Sequence, residues 1–349
     1  MVLYPFLFRS NLHKVVWGGN CLKPWKGMAA DDEPIGESWE VSVVPSSVSV
    51  IANGPFAGRS LADVIEEYTE EILGKEVADC HHGKLPLLVK FIDAAKDLSI
   101  QVHPDDEMAM CEHGKLGKTE MWYIIHAEPG AYLYAGFKED IDAEDYRRRI
   151  ADGSITEVLA RHEVRTGDVF YIPAGRVHAI CGGILLAEIQ QSSDVTYRIY
   201  DYNRPGTDGK MRELHTELAA RALDYHVESE YRTIYPMREN SANLVLDTPY
   251  FTVRVNELTR PIHRDLMKYD SFIISMCLQG SCLIKVRSTG DEIQLKEGHS
   301  CLIPACIADY DIVPDPTEPV CRVLDTFINN KEKGLLKLIT RFLHGTRRP

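Results

Sequence analysis

No two of the nine cysteines are spaced C-x-x-C, and the count is odd. A disulfide framework is therefore not expected, and reduced thiols are. Cys277/Cys282 and Cys301/Cys306 repeat a five-residue spacing, which on strands sends paired sulfurs to opposite faces; buried small hydrophobes are the expected reading, not a metal knot. Long apolar runs are also missing, so no stretch can cross a bilayer as a helix. The opening MVLYPFLFRS is too short and too proline-broken for a signal peptide, which points to the cytoplasm. Positive charge is scarce: 39 Lys and Arg face 52 Asp and Glu, a formal net charge of −13. Such a chain repels a polyanion, which excludes general nucleic-acid binding, and a small anionic substrate would need its own local cluster of Lys and Arg.

Sustained helical periodicity is rare as well. It is expected behind an N-cap at Ser60, with Leu61, Ile65, Tyr68 and Ile72 on one face, and again around residues 143–161 and 213–223. What is abundant is short apolar or alternating runs broken by Pro and Gly: LPLLVKFIDA, LSIQV, MWYIIHA, AYLYAGF, DVFYIP, LLAEIQQ and VTYRIYDY. That rhythm predicts a mainly β fold of sandwich or barrel type. A second set of strands starts near Tyr250, and the charged, weakly periodic stretch from Tyr225 to Asn243 reads as a linker. The expected division is 1–240 and 241–349, comfortable for a chain of 349 residues.

The two parts repeat one unit. Gly167-Asp-Val-Phe-Tyr-Ile-Pro173-Ala174 matches Gly298-His-Ser-Cys-Leu-Ile-Pro304-Ala305. Eleven residues beyond each glycine lie His178 in the first copy and Asp309 in the second. The second copy has no counterpart of Gln101-x-His103, so only the first is expected to carry a site.

In SIQVHPDD, Gln101 and His103 are two apart on an extended segment and aim to one side, while Ile100 and Val102 aim to the other. Glu120 leads into Met-Trp-Tyr-Ile-Ile, where an unpaired buried charge would be expensive and a cation is the simplest compensation. The turn Pro173-x-Gly175 reverses the chain and delivers His178 into the next strand. A lone Gln or His on a strand is more often a satisfied polar residue than a ligand, His178 by itself reads equally either way, and Glu120 is the stronger candidate. Gly167-x5-Pro173-x-Gly175-x2-His178 resembles the second motif of the cupin superfamily, with Gly182 where the usual pattern has Asn. With LSIQVHPDD, GKTEMWY, IPAGRVHA and TYRIYDY in that order, and weaker matches at Trp17-Gly18-Gly19 and Glu37-Ser38-Trp39, the chain resembles the type I mannose-6-phosphate isomerases in their short bacterial form, up to about Asn329.

That resemblance implies two cupin (jelly-roll) barrels in tandem and one zinc ion held by Gln101, His103, Glu120 and His178. Two imidazoles, a carboxylate and a carboxamide oxygen suit a borderline divalent cation and leave it net positive, a Lewis acid toward sugar oxygens. The implied reaction interconverts mannose 6-phosphate and fructose 6-phosphate through a cis-enediolate. Lys90, Lys118, Asp194 and Arg198 match positions lining the family's active site. From the residues alone, Arg198 reads as a structural ion pair with Asp194 or Asp201; the resemblance makes it the phosphate ligand, with Lys90 a second substrate-binding residue. Lys118 and Asp194 are both candidates for the proton relay, and the sequence does not choose between them. Histidines 81, 82, 113 and 126 are expected at the surface or behind the site.

Three other readings compete: an isomerase acting mainly on free aldoses, a cupin dioxygenase, and a non-catalytic sugar-phosphate-binding regulator. Gln101 in place of the first histidine of a His-x-His pair disfavours the dioxygenase, and retention of all four ligands with Lys118 and Arg198 disfavours the regulator. The closing KEKGLLKLITRFLHGTRRP spaces Leu335, Leu338, Ile339, Phe342 and Leu343 as an amphipathic helix, suited to docking on the acidic second barrel or on a sister subunit of a homo-oligomer, with membrane-surface attachment the less favoured reading.

Overall fold

The computed structural model describes residues 2–307 and 309–329; the amphipathic tail lies outside the described residues. The fold is mainly β. Two compact units are present: one is built from Ser10–Ser49 and Pro86–Ile234, the other from the segment up to Arg9, Val50–Leu85 and the chain from Tyr235 onward. Among the described residues no helix is long and apolar enough to cross a membrane.

The first unit pairs two open antiparallel sheets. One runs in the order Leu12–His13, Glu37–Val41, Leu87–Ala94, Ile184–Gln191, Glu120–Ala127, Val169–Ile172. The other runs Tyr197–Tyr200, Ile100–Val102, His178–Ile180, Tyr132–Phe137, Leu159–Glu163. Ile92, Trp122, Ile124, Phe170 and Leu186 from the first sheet share one core with Leu133, Ala135 and Ile180 from the second. Strands Leu87–Ala94 and Ile184–Gln191 are central and buried at every position, which accounts for their nearly unbroken apolar sequences. The charges inside them, Lys90, Asp93 and Glu188, therefore need explanation. A second core takes Ile100, Val102, Val195, Tyr197 and Ile199 beneath the helices Ala143–Asp152 and Thr216–Ala222. Val195, Tyr197 and Ile199 are buried while Thr196, Arg198 and Tyr200 are half-buried, the alternation expected of an extended run.

The second unit also holds two open sheets: Phe6–Leu7, Ser300–Ile303, Ile273–Gln279, Cys321–Phe327, Thr252–Leu258, Ala242–Asp247; and Ile262–Asp265, Asp309–Pro314, Ser281–Val286, Glu292–Lys296. Among the described residues no sheet closes on itself in either unit. The internal repeat is visible in the backbone. Gly167 and Gly298 have φ of +90° and +74°, each precedes a strand (Val169–Ile172, Ser300–Ile303), and His178 and Asp309 each open the next.

Several local expectations change. The Ser60 hydroxyl caps its helix through the Asp63 N–H, but the helix stops at Glu67 because Tyr68 leaves helical geometry, and a separate Thr69–Leu73 helix follows. The 143–161 helix ends at Asp152, since Gly153 takes a left-handed cap. Cys277, Cys282 and Cys301 are buried as expected, but Cys306 is exposed in the turn after its strand. The 225–243 stretch is no free tether: Tyr231 is buried, its hydroxyl donating to the Phe137 carbonyl at 2.8 Å.

Candidate metal centre and active site

Strand register builds the site in two rows. Across one sheet Arg198, Gln101 and His178 are successive cross-strand partners, so their side chains stand side by side on one face. Across the other sheet the row is Trp39, Lys90, Glu188, Trp122. Glu120 opens the strand beside them, opposite Gln190. The rows meet where the Trp122 and His178 rings pack edge to face, centroids 5.3 Å apart.

His103, Glu120 and His178 are buried and bring their ligating atoms within 4.8 Å of one another. Each imidazole is oriented from behind: His103 Nδ1 bonds the Val195 carbonyl at 3.0 Å and His178 Nδ1 the Arg176 carbonyl at 2.8 Å. Both Nε2 atoms thus face the centre. His103 Nε2 lies 3.4 Å from Glu120 Oε2, His178 Nε2 lies 3.5 Å from Glu120 Oε1, and the Gln101 Nε2 atom is 3.3 Å from His178 Nε2. Ligands bound tetrahedrally at zinc distances stand about 3.3 Å apart, so these spacings fit one ion. A half-turn of the Gln101 amide exchanges Nε2 for Oε1 at that place.

Glu120 is fully buried and neither oxygen makes a hydrogen bond among the described residues, although the Lys118 ammonium is 2.9 Å from Oε2. Burial alone would raise this carboxyl, but the Lys118 ammonium foremost holds it well below the usual carboxylate range. Burial, helped by the Lys118 ammonium, pulls the His103 imidazole down to about 3, and burial also lowers His178. Two neutral imidazoles and an ionised carboxylate with free lone pairs form a donor set for a divalent cation.

Beside this centre is a cavity of about 230 Å³, lined by Gln101 and Lys118 at the metal side and by Lys90, Asp194 and Arg198 among others. All eight residues singled out in the sequence are therefore at the centre or on the cavity wall. Lys118 arrives from the loop before the strand, its N–H bonded to the Pro104 carbonyl at 3.1 Å. Lys90 lies 3.3 Å from Glu188 Oε1 and 4.8 Å above the Trp39 ring. Burial would lower this ammonium, but Glu37 and Glu188 outweigh it and hold it above the ordinary lysine value. Glu188 is pushed up by burial and by Glu120, with Lys90 opposing. Asp194 sits at the exposed edge, bonded to Lys115 Nζ at 2.6 Å. Arg198 pairs with neither Asp194 nor Asp201; its Nη1 donates to the Glu213 carbonyl at 3.0 Å. Of the four histidines expected elsewhere, His126 is exposed beside Glu128, and His113 bonds the Tyr197 hydroxyl.

Five further wall residues carry charge or aromatic surface: Trp17, Glu37, Trp39, Glu188 and Arg212. Glu188 was detectable, a lone charge in the apolar run ILLAEIQQ just as Lys90 is in LPLLVKFIDA. Glu37 and Trp39 had only a weak motif behind them, and Arg212 had none.

The "phosphomannose isomerase type I, catalytic domain" family description matches residues 6–133, and "mannose-6-phosphate isomerase, cupin domain" matches residues 240–314. A mannose-6-phosphate isomerase of Streptococcus mutans is 34% identical over 89% of this chain and 96% of its own length. The chain belongs to the type I phosphomannose isomerases. Within that family, the crystal structure of the mannose 6-phosphate isomerase from Bacillus subtilis superposes with a TM-score of 0.83 at 31% identity, covering 93% of this chain and 99% of that one. An Archaeoglobus fulgidus structure described as a putative mannosephosphate isomerase, at 24% identity and a TM-score of 0.75, shares the fold over 93% of this chain and 98% of that one.

Proposed function

We propose that the chain interconverts mannose 6-phosphate and fructose 6-phosphate through a cis-enediolate, with one zinc ion held by Gln101, His103, Glu120 and His178. The carrying observation is the fully buried Glu120, whose two oxygens are answered among the described residues only by the Lys118 ammonium and face two inward-turned imidazoles, beside a cavity whose wall includes Arg198 and Arg212. When bound, the ion supplies a Lewis acid that stabilises negative charge on the sugar's O1/O2 side. The chain's own residues do the rest. Arg198 holds the phosphate, Lys90 and Trp39 orient the sugar, and the buried walls keep bulk water from the reacting carbons. Lys118, beside Glu120, moves the proton between C1 and C2; Asp194, tied to Lys115 at the edge, is the second candidate. Each pair of sheets is read as one cupin repeat, on the matching glycine-led strands of the two units.

Coupled detection of fructose 6-phosphate from mannose 6-phosphate is the direct test, and no turnover by zinc-loaded protein would refute the assignment. Lys118→Met with normal zinc content is expected to lose at least about a hundredfold in kcat. Unchanged turnover would pass the proton relay to Asp194.

A further inference from the structure

Arg212 shares the cavity wall with Arg198. Its guanidinium is braced from behind: Nε donates to Asp201 Oδ2 at 2.7 Å and Nη2 to Oδ1 at 2.6 Å. Asp201, 4% exposed, also accepts from Arg204 Nε and Nη2 at 3.2 and 3.0 Å. Two guanidinium groups, Arg204 and Arg212, therefore share one buried carboxylate, and Arg198 stands close enough to feel both of their charges. Arg198 is pulled below the ordinary arginine value by burial and then by repulsion from Arg212. Its Nε is buried with no hydrogen-bond partner among the described residues, and with Nη1 committed to the Glu213 carbonyl, the Nε/Nη2 edge carries no hydrogen bond among the described residues. In a chain with net charge −13, a half-buried local excess of cations is a cost that a bound anion relieves.

We propose that Arg212 is a second phosphate-binding residue: Arg198 offers its two-pronged fork to the terminal phosphate, and Arg212, locked by Asp201, adds Nη1 and a fixed charge. Arg212 would then help select phosphorylated over free aldoses. The identity of the sugar rests on the isomerase reading; the anion site does not.

The test is calorimetric titration of inorganic phosphate into zinc-loaded wild type, Arg212→Gln and Arg212→Lys, with kcat and KM measured alongside. For Arg212→Gln the phosphate Kd and the KM for mannose 6-phosphate are expected to rise about tenfold in parallel, with kcat within about threefold. Arg212→Lys is expected to recover part of the loss. The KM for unphosphorylated mannose, where turnover is measurable, is expected to stay unchanged. Wild-type phosphate affinity in Arg212→Gln, or no phosphate binding by the wild type, overturns the proposal. Should the Gln variant fail to fold, Arg212→Met, which keeps the aliphatic stem and removes the charge, decides: an unchanged Kd there overturns it equally. Weakened phosphate binding in a protein that never isomerises mannose 6-phosphate would sink the isomerase reading and leave the anion site standing.

Discussion

A carboxylate as buried as Glu120 persists in ionised form only where positive charge surrounds it. Lys118 provides one such charge, and the inward Nε2 atoms of His103 and His178 prepare the place for another. Glu188 lives under the opposite balance: burial and the nearby Glu120 charge raise it, and the Lys90 ammonium and the Trp122 N–H, 3.1 Å from its Oε2, answer only part of that. Two carboxylates in one site are thereby driven apart in acidity by their surroundings. Asp201 gives a clean pH prediction away from the metal centre. Burial would raise it, but Arg212 and Arg204 hold it below its ordinary value of 3.8. A depressed folded-state value stabilises the protein above that pH and ceases to do so as pH falls through the lowered value. Asp201→Asn is expected to cost about 3 kcal/mol at neutral pH by leaving two guanidiniums unpaired. In thermal melts, the gap between wild type and variant is expected to narrow below pH 4; a gap constant down to pH 3 would show that Asp201 is not held as a charged partner.

Turns and registers convert those residues into a site. Gly175 has φ of +89°, and a Cβ there would meet the Ala222 carbonyl oxygen at 3.1 Å. The turn it permits puts His178 at the head of its strand, opposite Gln101. Gly175→Val is expected to cost about 1–3 kcal/mol in denaturant unfolding and to lower bound zinc per chain. Full metal content in that variant would show that the turn does not position His178. The ligands were readable from sequence because each signal was local: a two-residue period at Gln101 and His103, a charge leading an apolar strand at Glu120, a turn before His178. Arg212 was not, and Glu37 only as part of a weak motif, because what gives them meaning is which strand or loop lies beside which, a tertiary fact. The break at Tyr68 was hidden for a similar reason, since the apolar face of 61–72 continues across two helices that the backbone keeps separate.

At the scale of the whole molecule, the mainly β character followed from the rhythm of short runs, whereas the composition of the units did not. The two-residue strand Phe6–Leu7 carries almost no signal, yet it pairs with Leu302 and Cys301. The Ala305 and Cys306 N–H groups bond the Ile72 and Glu71 carbonyls at 2.9 and 3.0 Å, tying the helical segment to strands far along the chain. A fragment of residues 1–240 would lack those partners and expose Phe6, Leu61, Val64, Ile72 and Leu73, all buried in the full chain. Such a fragment is expected to bind a hydrophobic dye and melt below the intact protein; a melting temperature equal to that of the intact protein would show that these segments fold independently of the later strands.

The most direct test of the central claim follows fructose 6-phosphate formation from mannose 6-phosphate before chelation, after chelation, and after zinc is returned. Activity is expected to vanish with the metal and to return in proportion to zinc bound, up to one ion per chain. Undiminished turnover by metal-stripped protein, or none by the zinc-loaded form, would contradict the account.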